Sequence, residues 1–437
     1  MALHTAPRER LIPSPSAGVW PGLFRPPAAT LHARIARPIV RAALRRLPLS
    51  LVFPDGTSWG AGGPALHLVR PDVFFARLGR DGLIGLGEAW MTGDLTAEDW
   101  TPGSRDVTRA NAATDALAAA LTVLAQRTGS LIPGPLQKLR KLWQRHTPAE
   151  EENTVPGALE NIHRHYDLSN ELFELFLDPT LTYSSGWFEF GSTDTDLHRA
   201  QLRKIDGILD FAGVRAGSRV LEIGSGWGTL AMRAVAERGA TVTTLTLSTE
   251  QKALAEQRIT EAGLADRIDV RLEDYRAHAA GHPGDYDAVV SVEMIEAVGE
   301  RYWPDYFAAV DRVLAPGGRM GLQAITIAHD RLLATRGTYT WIHKYIFPGG
   351  ILPSLPAIDL ALSVGTRLRV AEARRLGPSY ATTLQQWRHT FNENLDRVYA
   401  LGFDETFARM WNFYLAYSES GFAADYLDDW QLGLARP

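Results

Sequence analysis

From Gly217 onward, short apolar runs alternate with longer segments whose apolar residues recur every three or four positions. The runs predict strands, the longer segments predict helices, and their alternation predicts a parallel sheet covered by helices. Strands are expected at Arg219–Ile223, Thr241–Leu247, Ile268–Leu272, Tyr286–Val292 and Arg319–Ile325. Helices are expected at Trp227–Arg238, Thr249–Ala262 and Tyr302–Leu314. Ser248 or Thr249 would cap the second of these, and Ala-Pro-Gly-Gly at 315–318 would stop the third.

The first part of the chain is patterned differently. Residues 1–30 are rich in proline and small side chains. Ala33–Leu47 sets Arg34, Arg37, Arg41, Arg45 and Arg46 among Ile35, Ile39, Val40 and Leu44, a basic amphipathic helix with Pro38 early in it. Such a helix lies on anionic lipid or, equally, packs on its own domain. Residues 49–95 read as a small β-rich unit, with turns at Pro54-Asp-Gly56 and Arg80-Asp-Gly82. A helix follows at Ala113–Gln126. Beyond Pro133 and Pro135, Lys138, Arg140, Lys141 and Arg145 surround Leu139, Leu142 and Trp143, a second basic patch suited to lipid head groups. The boundary is placed near 150, separating a docking domain at 1–150, which would also carry any dimer contact, from a second domain at 151–437.

The formal charge of −5 offers no global attraction to nucleic acid, so no nucleic-acid partner is expected and any lipid contact rests on local patches. The chain has no cysteine, which excludes disulfides, thiolate nucleophiles and Cys-built metal sites. No stretch carries the roughly 20 apolar residues of a membrane span, and the N-terminus lacks the apolar core of a signal peptide. A cytoplasmic protein, peripheral on the inner face of the cell membrane, is the expectation.

The candidate chemistry begins at Val220-Leu-Glu-Ile-Gly-Ser-Gly-Trp-Gly228. It reads as a buried strand, a glycine turn and a helix. Gly224, Gly226 and Gly228 let the backbone turn sharply and let a ligand lie against it, while Glu222 sits near the strand's carboxyl end, where open α/β sheets bind ligands. The spacing Gly-x-Gly-x-Gly is not the dinucleotide pattern. With its acid it resembles the first motif of class I S-adenosylmethionine-dependent methyltransferases. That resemblance implies an α/β, Rossmann-like sheet with a smaller N-terminal β-rich and helical domain. It also implies contacts to the cofactor from Ser225 and the glycines and from Asp274 and Tyr275 after the third strand; the second strand lacks the usual acid at its tip, where Thr246, Leu247, Ser248 and Gln251 stand instead. Taken singly, each of these polar residues is also what a helix cap or turn would use.

Further stretches narrow the resemblance. They are Asn161–Phe173, Asp178–Ser185, Thr246–Gln251, Ser291-Val-Glu-Met-Ile-Glu-Ala-Val-Gly299, Lys344–Pro353 and, more weakly, Gly87-Glu-Ala-Trp-Met-Thr-Gly-Asp94. Together they are similar to the cyclopropane-fatty-acyl-phospholipid synthase family and its mycolic-acid and branched-fatty-acid relatives. The resemblance implies methyl transfer from S-adenosylmethionine to the cis double bond of a phospholipid acyl chain. Tyr183 and Ser184 then join the cofactor set, and a carbocation forms that aromatic faces such as Tyr183, Trp187, Tyr345, Phe347, Tyr380, Trp411 and Tyr417 can steady. The family's base is a bicarbonate ion. Its holding groups fall on Glu296, Tyr380, Ser185 in place of a cysteine and Gln323 in place of a histidine, an altered set for the same anion. The altered pocket resembles enzymes that turn oleoyl chains into 10-methylene-stearoyl chains, whose saturation requires a separate reductase. A cyclopropane formed from the same cation is the alternative product. A methyltransferase for a small soluble acceptor and a lipid-binding protein with a relict cofactor site are the rival functions. The apolar segment Tyr339–Leu355, a candidate tunnel wall, argues against the first, and the intact glycine turn and Glu296 argue against the second.

Overall fold

The computed structural model describes residues 20, 22–28, 30–98, 100, 106–131, 169–189, 191 and 195–437. The basic patch at 138–145, the expected boundary near 150 and the Asn161–Asp167 stretch lie outside the described residues. Two compact units emerge, Met1–Val123 with Leu395–Phe413, and Leu124–Asn394 with Tyr414–Pro437.

In the first unit, β1 (Ser50–Val52), β2 (Ser58–Gly60), β3 (Ala65–Leu68) and β4 (Leu95–Thr96) form a sheet in the order β2-β1-β3-β4. Pro54-Asp-Gly56 closes the β1–β2 hairpin, with Gly56 at φ 82° and the Phe53 amide donating to Thr57 O at 2.8 Å. The second expected turn is something else. Residues 71–91 form two helices, Pro71–Asp81 and Leu83–Met91, and Gly82 at φ 58° joins them. An Asp-Gly pair supplies a positive-φ position whatever elements flank it, so the dipeptide alone does not separate a hairpin from a helix junction. Pro71 and Asp72 in the first turn suit a helix start.

This unit is organised around buried Arg77. Its Nε donates to Asp94 Oδ2 at 3.0 Å, one terminal nitrogen to Glu88 Oε2 at 3.3 Å and the other to Leu23 O at 2.5 Å. The stretch Gly87–Asp94 thus supplies both counter-ions, and its buried Trp90 donates Nε1–H to Arg409 O at 3.0 Å.

The second unit holds β5 (Arg219–Ile223), β6 (Thr241–Thr246), β7 (Ile268–Leu272), β8 (Tyr286–Val292), β9 (Leu314–Ile327), β10 (Arg369–Arg375) and β11 (Leu427–Ala435). Among the described residues they form one sheet in the order β10-β11-β9-β8-β5-β6-β7. β5 to β9 pair in parallel, and β11 runs antiparallel between β9 and β10. Successive residues of a strand enter opposite layers. Val289 packs with Tyr306, Phe307 and Val310 on one face, while Ala288 and Val290 pack with Ile208, Leu230 and Ile259 on the other. Burial on both faces is why these strands read as continuous apolar runs. The order reverses between β5 and β8, which opens a crevice at the carboxyl ends of those strands.

Replacing Arg77 by alanine would remove its guanidinium from the buried Glu88 and Asp94 carboxylates, leaving Arg70 as the cation on Asp94. Urea denaturation should show a loss of about 3–5 kcal/mol for Arg77→Ala, while an exposed substitution in the same unit such as Arg46→Ala should change stability little.

Candidate active site

Gly224 (φ 95°), Gly226 (φ 49°) and Gly228 (φ 86°) all have the left-handed backbone that glycine adopts without strain. The amides of Gly224 and Ser225 are tied to Leu245 O at 3.0 Å, which fixes the turn against β6. A Cβ on Gly224 would stand 2.6 Å from Met294 Cγ, whereas one on Gly226 would meet nothing within 4 Å. The turn is therefore packed on its inner side and open at Gly226. Ser225 turns its hydroxyl to Gly226 O. Glu222 is buried, its Oε2 has no hydrogen-bond partner, and burial pushes its carboxyl up to about 8. A buried carboxyl with one oxygen unpartnered, beside an open glycine turn, fits the amine end of S-adenosylmethionine. Bound there, that cofactor supplies an electrophilic methyl on a sulfonium.

At the tip of β6 the expected contacts are partly spent on one another. Thr246 Oγ1 donates to Gln251 Oε1 at 3.0 Å and accepts from the Ser248 amide, and Ser248 caps the next helix by accepting from the Gln251 amide. Leu247 lies between them, partly buried. After β7, Asp274 caps the helix that follows and holds the Arg276 guanidinium through two bonds of 2.8 and 2.7 Å. Tyr275 stacks edge-on against Tyr306, and its buried hydroxyl has no partner.

The densest polar cluster forms around Glu293, a residue absent from the expected site. It follows the last residue of β8 and has φ 51°, a left-handed backbone in a non-glycine residue. Its Oε1 accepts from the Ser185 amide at 3.1 Å and Gln323 Nε2 at 2.9 Å, and its Oε2 accepts from Tyr380 Oη at 2.7 Å. Ser185, Gln323 and Tyr380, all expected to hold bicarbonate, are thus brought together, but on the carboxylate of Glu293. Ser185 contributes its amide, since its hydroxyl turns to Gly186 O. Gln323 Nε2 also donates to Asp429 Oδ2 at 2.9 Å, and its oxygen accepts from Gln431 at 3.1 Å. The donors that bicarbonate would need are occupied, so the set present does not fit that ion.

Glu296 is placed beside this cluster and outside its bonds. Its Oε1 accepts from the Ile325 amide at 2.6 Å, and its buried Oε2 has no partner. Burial, then the charge of Glu293, pushes it up to about 8. Asp429 is raised well above the ordinary carboxylate range by burial and by the charges of Glu293 and Glu296. The cation among these acids is Lys204, also missed in the sequence. It is buried on the helix Leu197–Phe211, donates to Ser184 Oγ at 2.5 Å, and burial pulls it down to about 8 against the charges of Glu293, Asp429, Asp178 and Glu222. Glu293 carried a sequence signal, an acid directly after an apolar strand. Lys204, inside an amphipathic helix, carried none.

The aromatic candidates separate in the structure. Tyr183 shares a hydrogen bond of 2.7 Å with Tyr414 Oη and lies 5.4 Å from Trp387, which in turn meets Tyr380. Phe347 packs edge-on to Tyr414. Tyr345, by contrast, packs on Trp341 and under Lys344 in the short helix Trp341–Tyr345. Trp187 is covered by the Arg374 guanidinium at 4.0 Å, and Trp411 belongs to the first unit, where it stacks on Phe407. The Tyr339–Leu355 segment reaches the site through the Ile351 amide, which donates to Glu296 O at 2.9 Å.

The sheet order, the open glycine turn and the buried Glu222 define a class I S-adenosylmethionine-dependent methyltransferase with S-adenosylmethionine as its cofactor. Residues 155–432 match the family model described as mycolic acid cyclopropane synthetase, and the chain belongs to that family. It is 47% identical, over 97% of both chains, to tuberculostearic acid methyltransferase UfaA1 of Mycobacterium tuberculosis. It is 31% identical to the cyclopropane-fatty-acyl-phospholipid synthase of Escherichia coli, over 90% of this chain and 93% of that one. Among solved structures, the Mycobacterium tuberculosis cyclopropane synthase MmaA2 superposes with TM-score 0.58 at 30% identity, covering 63% of this chain and 98% of that one. The mycolic acid cyclopropane synthase CmaA1, complexed with SAH and CTAB, gives 0.57 at 32% identity over the same shares.

Glu222 makes the cofactor-free chain sensitive to pH. Its folded value of about 8 lies above the ordinary 4.5, so between these values the folded chain keeps a proton that the unfolded chain releases. Stability from this group is present at low pH and declines as pH rises through that window. Thermal melts of Glu222→Gln at about pH 5 and about pH 8 should differ less than those of the unaltered protein.

Proposed function

We propose that this chain transfers the methyl group of S-adenosylmethionine to the cis double bond of an oleoyl chain in a phospholipid, giving a 10-methylene-stearoyl chain. The observation that carries this reading is the near full-length identity of 47% to a tuberculostearic acid methyltransferase. The departures at Ser185 and Gln323 from the expected cysteine and histidine support it.

An alkene is a weak nucleophile, so the protein's task is to place it in line with the sulfonium methyl and keep water away. The connected rings of Phe347, Tyr414, Tyr183, Trp387 and Tyr380 offer apolar walls whose faces attract a carbocation. Methyl transfer leaves the cation on the neighbouring chain carbon. A hydride shift moves it to the methylated carbon, and proton loss from the new methyl group yields the methylene. Proton loss without the shift closes a cyclopropane, the product that 31% identity to the Escherichia coli synthase favours. A separate reductase would then saturate the methylene. Incubation with labelled S-adenosylmethionine and oleoyl phospholipid vesicles should put label into lipid, and ozonolysis with mass spectrometry should cleave the product as an exocyclic alkene. A product resistant to ozone would identify the ring instead, and an unlabelled lipid fraction would remove the reading.

Membrane contact is supported by the helix Thr30–Leu44. Leu31, Ile35 and Ile39, spaced four apart, are 66%, 40% and 39% exposed, and Arg34, Arg41 and Arg45 are exposed near them. No helix among the described residues is long and apolar enough to cross a membrane. An apolar stripe edged by arginines instead suits a surface position, with apolar insertion and charge attraction adding. The double variant Ile35→Ser with Ile39→Ser should weaken binding to anionic vesicles at every salt concentration. Arg34→Gln with Arg41→Gln should weaken it chiefly at low salt. Sedimentation with vesicles reads both, and unchanged binding in both would show the helix to be an ordinary solvated surface.

A further inference from the structure

We infer that the Glu293 carboxylate is the base that takes the final proton, so that the chain supplies from its own sequence what an external bicarbonate ion was expected to provide. This rests on the methyl-transfer reading above and names a participant in it.

Geometry carries the assignment. Three donors of different origin, the Ser185 amide, the Gln323 side chain and the Tyr380 hydroxyl, converge on one carboxylate at 3.1, 2.9 and 2.7 Å. They come from a loop, from β9 and from the helix Gly377–Glu393, so the arrangement exists only in the folded unit. The left-handed backbone of Glu293 is unfavourable for a side chain of this size, and such strain persists where surrounding structure demands it, most often at working sites. Its amide is held by Gln323 O at 2.9 Å, the same residue whose side chain grips its carboxylate. Glu293 is therefore fixed at backbone and side chain at once.

Glu293 has more groups supporting its charged form than its neighbours have. Burial raises it, and Tyr380, Lys204, Ser185 and Gln323 each oppose that rise. Asp429 has one side-chain donor and an unpartnered Oδ1, and Glu296 has one backbone donor and an unpartnered Oε2. Like charges in one low-dielectric pocket do not all ionise, and the best-solvated member keeps the charge. A bicarbonate ion placed here would have to displace Glu293 from its donors or sit beside it as a second anion.

The step balances as follows. The π pair of the alkene forms the bond to the methyl carbon, and the S–CH3 pair stays on sulfur. A hydride moves with its pair from the methylated carbon to the adjacent cation. One C–H pair of the methyl then becomes the exocyclic double bond, and its proton passes to a Glu293 oxygen and on to solvent before the next turnover.

The test compares unaltered protein, Glu293→Gln and Glu293→Gly in carbonate-free buffer, with and without added bicarbonate. Glycine suits the positive φ, so the second variant stands in should glutamine perturb folding, which circular dichroism reports. The unaltered protein should label lipid equally well in both buffers. Glu293→Gln should lose roughly a hundred- to ten-thousand-fold in turnover with S-adenosylmethionine affinity, by calorimetry, held within a few-fold. In a readout independent of turnover, added bicarbonate should raise the melting temperature of Glu293→Gly, whose donors are uncovered, and leave that of the unaltered protein unchanged. Bicarbonate-dependent activity or stability in the unaltered protein, or near-normal turnover in Glu293→Gln, would overturn the assignment. A failure to label any lipid would instead strike the function proposed above, and the melting experiment would still decide whether Glu293 occupies the anion's donors.

Discussion

One buried ammonium makes the site electrostatically tenable. Lys204 stands among Glu293, Asp429, Asp178 and Glu222, and its own loss of hydration is opposed by their charges. Removing carboxylates from water costs several kcal/mol each unless they are paired or hydrogen-bonded. A single cation cannot satisfy every one. Burial raises Glu293, Asp429 and Glu222 alike, and Glu293 has the most donors opposing that rise. The helix Leu197–Phe211 supports this arrangement directly, since it carries Lys204 against Ser184 Oγ and receives Gln431 Nε2 at the Lys204 carbonyl.

The sheet supplies the other half of the design. Parallel strands buried on both faces bring their carboxyl ends to one edge, where Glu222 and Glu293 emerge from adjacent strands. The antiparallel β11 then slots beside β9, setting Gln431 opposite Gln323 and Asp429 opposite Ile325. A tail strand thus becomes part of the reaction chamber. The glycine turn, packed inward on Met294 and open at Gly226, sits one residue from the same loop that holds Glu293. Met294, next to Glu293 in the chain, thus packs against the glycine turn.

Glu293 and Glu296 lie three residues apart in very different hydrogen-bond settings. Both acids follow β8, yet backbone geometry gives Glu293 three side-chain or amide donors and leaves Glu296 with one. A family in which methyl transfer is shared and the fate of the cation differs can vary through such local rearrangements.

By itself the sequence determined the strands of the parallel sheet, the helix stop at Ala315–Gly318 and the glycine turn, because each depends on residues close together in the chain. Apolar runs, prolines and glycines act through local backbone preference and burial, which a linear reading detects. It also brought Ser185, Gln323 and Tyr380 forward as members of one site. Only the tertiary structure decided what those three hold. Glu293, Lys204 and Asp429 come from a strand end, a helix interior and the final strand, and nothing in their neighbours announces a shared pocket. Their roles arise from desolvation and from which donor reaches which oxygen, quantities that exist only once distant segments have packed. The same distinction explains the turn at Gly82, where an Asp-Gly pair specified a positive φ and packing around Arg77 decided that helices flank it.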